Sequence, residues 1–365
     1  MTESDWLAGT DGDDMLLFVA DRLTPRQWAF LAAAHVRRLW DTLPDGPFRA
    51  AVEAVESEEA LSADARAEWV RRVTAAEPGA AEAAGAAQRE IVRTADPDAA
   101  DVSGPVLARP TQIAPAFPLF AAASRHARNA IEWASDAVTD AAEAVRRLLE
   151  EPGEHTFSRV RRAVDQAAET RNNAARAANL ARRFKQEGDE LADLAAGSKN
   201  KRLEAARAEE MVRKGEEGAG LSPNNEGTGD DRLRLAAEKL LARTLREVVG
   251  NPFKEPRFEP SWRTEAAVGL ARGIFAERAF DRLPVLADAL LDADCDEEQL
   301  LRHLRGTEKL VKEPPQHVRG CWAVELVLGR WQPLPPPDPN APKRPLTGDD
   351  DFWDQLDELD DDDVA

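Results

Sequence analysis

From about Phe117 to Lys214 the chain is dominated by Ala, Arg, Glu and Leu, and this segment is interrupted only at Pro152-Gly153 and near Gly197. These are strong helix formers. Nowhere does a run of strict apolar–polar alternation stand out, so the sequence offers helices and no strand pattern. Of the 43% hydrophobic residues, 66 are alanines; without them large apolar side chains make up about a quarter of the chain, near the low end for a filled core. A thin Ala stripe lets helices approach closely but buries little area. The Ala/Arg-rich middle, residues 119–214, is therefore expected to be the least stable part of an all-α, multi-helix array.

Residues 1–94 read as an N-terminal helical segment. Thr24 followed by Pro25 is a cap and first-turn pair, after which Trp28, Leu31, His35 and Leu39 recur at helical spacing. Asp45 and Ser62 are the expected caps of the next two helices. Residues 95–118, with five prolines, form a linker, and the Gly-rich, acidic residues 215–231 read as a disordered insert. A C-terminal helical segment, 232–331, opens on the Leu240, Leu241, Leu245 face and stops at Gly250. Asp294 and Glu297 form a capping-box pattern, with Gly306 as the stop. Residues 332–348 are a Pro-rich spacer and 349–365 an acidic tail.

Glu277-Arg278-Ala279-Phe280-Asp281-Arg282-Leu283-Pro284-Val285-Leu286-Ala287-Asp288-Ala289-Leu290 resembles the closing segment of a paralogous bacterial family of uncharacterised helical proteins, expanded in planctomycetes. Gly250-Asn251-Pro252-Phe253 and His317-Val318-Arg319-Gly320-Cys321-Trp322 fit the same pattern. Trp6-Leu7, Met15-Leu16 and Arg37-Arg38-Leu39-Trp40 are similar to that family's opening segment. The resemblance implies that the two ends of the chain dock on each other, burying Trp28, Trp40, Phe280, Leu283, Leu286 and Trp322. It brings no activity with it.

Composition removes several classes of function. No window approaches ~18 apolar residues, so no membrane partner is expected, and the acidic start lacks a signal-type apolar region. Two cysteines make no disulfide framework, which sets a cytoplasmic default. A net charge of −20 disfavours duplex DNA. Cys295, His303, His317 and Cys321 are the only cluster of potential soft ligands. Without a Cys-x-x-Cys pair they are expected to be a buried thiol and ordinary histidines, with no metal and no cofactor. A hydrolase using Cys321 and His317 ranks third among functions, since no flanking nucleophile signature accompanies it. Glu277, Arg278, Asp281 and Arg282 fit structural ion pairs better than an acid–base pair.

Residues 159–214 hold fourteen basic against nine acidic side chains. Arg161, Arg162, Arg182, Arg183, Lys185, Lys199, Lys201 and Arg202 are therefore the candidates for the second function, nucleic-acid association, though few aromatics accompany them. The tail carries ten acids and no base, with Phe352, Trp353, Leu356 and Leu359 set among them. That pattern suits a helix docking into another protein's basic or apolar groove. The expected function is thus a non-catalytic interaction or scaffold protein, binding partly through this tail.

Overall fold

The computed structural model describes residues 1–57, 59–95, 116–196, 200–219, 231–307 and 317–336. Among the described residues there are thirteen α-helices and no strand. The N-terminal segment holds α1 (Glu3–Ala8), α2 (Gly12–Val19), α3 (Pro25–Val36), α4 (Pro47–Val55) and α5 (Ala63–Ala95). The middle holds α6 (Phe117–Leu148), α7 (Glu154–Ala196) and α8 (Lys201–Ala219). The C-terminal segment holds α9 (Asp231–Val249), α10 (Glu265–Glu277), α11 (Leu283–Leu291), α12 (Glu298–Leu304) and α13 (Trp322–Val327). None of them is long and apolar enough to cross a membrane.

Local chemistry sets most boundaries. Thr24 and Gln27 close a full capping box on α3, and Ser62 Oγ accepts from Ala65 N ahead of α5. Gly250 and Gly306 stop their helices at positive φ. Two expected caps are different. Gly46 at φ 97° precedes α4 with no side-chain cap, because Asp45 turns to Arg49 instead. Glu297, not Asp294, caps α12; Asp294 itself takes the left-handed conformation of a turn. Residues 215–219, expected in the insert, complete α8 instead. Gly215 is buried there under Phe184. Most of the linker and insert, and residues 337–365 with the tail candidates Phe352, Trp353, Leu356 and Leu359, lie outside the described residues.

One continuous core joins both ends of the chain. It takes Trp6, Met15, Leu31 and Leu39 from the N-terminal segment, and Leu241, Leu245, Leu283, Leu286 and Trp322 from the C-terminal one. The bend between α6 and α7 adds Val145, Leu148, Phe157 and Val164. Helix α9 lies against α2 and α3. Polar contacts tie the same joint: Trp6 Nε1 donates to Gly250 O at 2.9 Å, Arg246 Nε donates to Trp6 O at 2.7 Å, and Arg26 meets Glu325 at 3.0 Å. Of the six anchors expected at the docking surface, Trp28, Leu283, Leu286 and Trp322 are buried. Trp40 and Phe280 are half-buried. Trp40 is roofed by the Arg37 and Arg49 guanidiniums, which cover its ring.

The charged group at residues 277–282 is structural here. Arg282 pairs with Glu277 in solvent at 2.9 Å. Arg278 instead crosses to the N-terminal segment and meets Glu56. That carboxylate is only 2% exposed and also takes Arg37 at 2.6 Å. Beyond the bend, α6, α7 and α8 run on as an arm. Its interior shrinks to Ala127 with Ala181 and Ala130 with Ala177 and Ala178, then widens around Leu119, Leu180 and Phe184.

Candidate metal centre

Four donors from three stretches of sequence meet inside the C-terminal half of the core. Glu247 comes from the last turn of α9 and His303 from the last turn of α12. His317 and Cys321 flank the turn that enters α13. One ligand atom from each lies within 4.8 Å of all the others. Cys321 is 1%, His303 3% and Glu247 4% exposed.

The backbone that delivers them needs two glycines. Gly320 has φ 88°, and a Cβ there would overlap the Phe30 ring. Only glycine fits this turn, which aims Cys321 inward at the start of α13. Gly250 has φ 78° and ends α9 one turn after Glu247; a Cβ would stand 3.1 Å from the Trp322 ring. That indole packs tilted on His303 with centroids 5.0 Å apart. The rings of His303 and His317 meet edge to face at 5.2 Å.

His303 Nε2 lies 3.2 Å from Cys321 Sγ and 3.6 Å from Glu247 Oε2. A tetrahedral ion with bonds of about 2.0–2.3 Å has ligand–ligand edges of roughly 3.3–3.8 Å; the Glu247 separation falls in that range and the Cys321 one just below it. His317 Nδ1 lies 2.9 Å from Glu247 Oε2. That is a hydrogen-bond distance, shorter than a coordination edge, so the two side chains must part before both can ligate one ion.

The electrostatics favour the ligating form of the thiol. Burial alone would push Cys321 up, but the neighbouring His303 and hydrogen bonds from both histidines outweigh it and hold the thiol below its ordinary value. Burial disfavours the His317 cation as well. Its hydrogen bonds to Cys321 and Glu247 overcome that and raise it to about 9, so the imidazole carries a proton at neutral pH that an ion has to displace. Cys295 is also buried, but it lies outside this cluster, and burial raises its thiol.

The structure thus brings together three of the four soft-ligand candidates and replaces Cys295 with Glu247. Sequence reading missed Glu247 because it sits beside Leu245, Val248 and Val249 on α9 and looks like any charge on an amphipathic helix. The hydrolase arrangement is poorly served. A cleft of about 240 Å³ beside the cluster is lined by Glu247 and His303 but not by Cys321 or His317, so it gives a substrate no approach to the sulfur.

The basic middle segment is laced with acids. Arg161 pairs with Asp13, Arg183 with Glu187 at 2.8 Å, and Lys185 with Asp189 at 2.9 Å; Arg182 bonds Asn179. Arg162 lies on α7, Lys201 and Arg202 open α8, and Lys199 lies outside the described residues. An open groove of about 550 Å³ between α6 and α7 is lined by Asp136, Asp140 and Glu169 without a thiol or imidazole. No family model, curated protein or solved structure matches this chain.

Proposed function

We propose that this is a zinc-binding helical protein, with one ion held by Cys321, His303, His317 and Glu247. The observation that carries the reading is the convergence of those four buried donors. A thiolate and a carboxylate supply two negative charges and two neutral imidazoles complete the set, so a divalent ion leaves the buried group neutral. One soft sulfur, two imidazoles and one oxygen suit Zn²⁺, which imposes no geometry of its own. This reading departs from the expectation of no metal. That expectation rested on the absence of a local Cys-x-x-Cys pair, whereas Glu247 and His303 come from helices far in sequence from each other and Glu247 far from the His317–Cys321 turn.

Elemental analysis of protein purified without chelator tests it. One zinc per chain is expected, and Cys321→Ser and His303→Gln should each lose it, while Cys295→Ser keeps it. Protein that neither carries zinc nor takes it up, or that binds it equally well in all three variants, overturns the reading. The inaccessible sulfur supports a non-catalytic role. We accordingly retain the reading of an interaction protein that binds another protein's basic or apolar groove partly through its acidic tail.

A further inference from the structure

Helix α8 buries little of its own surface against the arm. Of its 19 residues, Ala208 and Gly215 are the buried ones. Met211, Val212 and Ala219 lie half-buried against the core around Leu119, Leu180 and Phe184. Arg213 and Lys214 pair with Glu210 and Glu217 of the same helix, so these ion pairs do not fasten it to its neighbours. Glu216 makes the polar tie to α6. It meets the Arg125 guanidinium and accepts from His126 Nε2 at 2.8 Å.

His126 is 3% exposed, and the fully buried Phe184 packs against its ring with centroids 5.8 Å apart. Because Nε2–H donates to the carboxylate, Nδ1 is the bare nitrogen of a neutral imidazole. Nδ1 is buried and has no hydrogen-bond partner. A proton there would create an N–H without an acceptor, on a cation held out of water. Glu216 offers that cation little in return, since Arg125 already meets its charge. Burial, the largest influence, outweighs the pull of Glu216 and, with Arg125 acting in the same sense, holds the imidazole below its ordinary value. Helix α7 presents the Phe184 ring to it, and the charges beside that ring, Arg183 and Lys185, pair with Glu187 and Asp189.

We propose that His126 is an acid-sensitive latch: its protonation frees α8 from α6 and α7 and uncovers the apolar end of the arm at Leu119, Leu180 and Phe184. With α8 released, the ring stands in water and takes a proton at its usual pH. The released state therefore binds the extra proton. Docking is at full strength above about pH 6.5 and weakens as pH falls below it. The latch lies in the arm, away from the candidate metal centre, and stands whether or not that centre holds an ion.

The test follows amide exchange of the full-length protein at pH 7 and pH 5, corrected for the intrinsic rate, and titrates the His126 ring by NMR. A proton taken up only on release allows a loss of protection of at most about 25-fold over that range. Protection along α8 should fall by roughly fivefold or more, and His126 should titrate below about 6.5. His126→Gln keeps a donor for Glu216 but takes no proton, so α8 in this variant should lose less than about twofold. Protection of α8 that holds or rises at pH 5 overturns the latch, because the cation would then be strengthening the tie to Glu216. So does an equal loss in His126→Gln. Should that variant release α8 already at pH 7, the ring titration in the parent decides, and a value at or above about 6.5 overturns the proposal.

Discussion

His35 shows how one buried side chain sets an acid limit on the fold. It is 1% exposed on α3, its Nδ1 bonds Leu31 O at 2.9 Å, and its ring meets Phe157 edge to face. Burial, the largest influence, lowers it to about 3, while the unfolded chain protonates it near 6.5. The unfolded state therefore binds the extra proton as pH falls, so His35 costs nothing above about 6.5 and progressively destabilises the fold from there down to about 3. In His35→Leu, stability followed by urea denaturation should fall less steeply between pH 6 and 4 than in the parent. Equal slopes would show that the imidazole is solvated and not part of the core. The position of His35 on an apolar stripe was legible in the sequence. That it is neutral and one-sidedly bonded was not, because its partners come from its own preceding turn and from α7.

Among the elements, the helix joints were legible and the reach of the helices was not. Pro152-Gly153 and Gly197 mark the ends of α6, α7 and α8 because proline and glycine act within a residue or two of where they stand. Pro78 does not end α5, whose 33 residues run through it. Pro78 is exposed, so the carbonyl left without its N–H faces water, and the cost of a mid-helix proline falls with it. The α6–α7–α8 arm follows from composition: its alanine layers bury little, so its outer end depends on Phe184, which packs against Gly215, His126 and Leu180. Phe184→Ala should speed amide exchange along α8 and the outer halves of α6 and α7, leaving α9 to α13 and zinc content unchanged. Protection lost evenly through the whole chain would mean that arm and body unfold as one unit.

In the whole molecule, the candidate centre ties α9 to the later turns of the C-terminal segment, beside the joint with the N-terminal helices. Glu247 belongs to the helix that packs on α2 and α3, whereas His303, His317 and Cys321 belong to the later helices. Trp6 from the opening helix covers the same spot by bonding Gly250 O. The His-x-x-x-Cys pair at 317 and 321 could be seen in the sequence. His303 was a candidate as well, but Glu247 was not, since only the packing of α9 beside α13 makes it a neighbour of the others. An ion that binds only this folded arrangement adds stability by mass action, about 4 kcal/mol when free zinc exceeds its dissociation constant a thousandfold. Adding zinc to stripped protein should then raise the melting midpoint of the body by roughly 10 °C. Tryptophan fluorescence is a suitable probe, because Trp6, Trp262 and Trp322 are buried in the body, and the arm holds only the half-buried Trp133. Cys321→Ser should abolish the zinc-dependent part of the shift, while Cys295→Ser should keep it even if its own midpoint falls. A midpoint indifferent to zinc in the parent, or the same rise in Cys321→Ser, would show that the four donors are held together by their own hydrogen bonds and that the ion is no part of the fold.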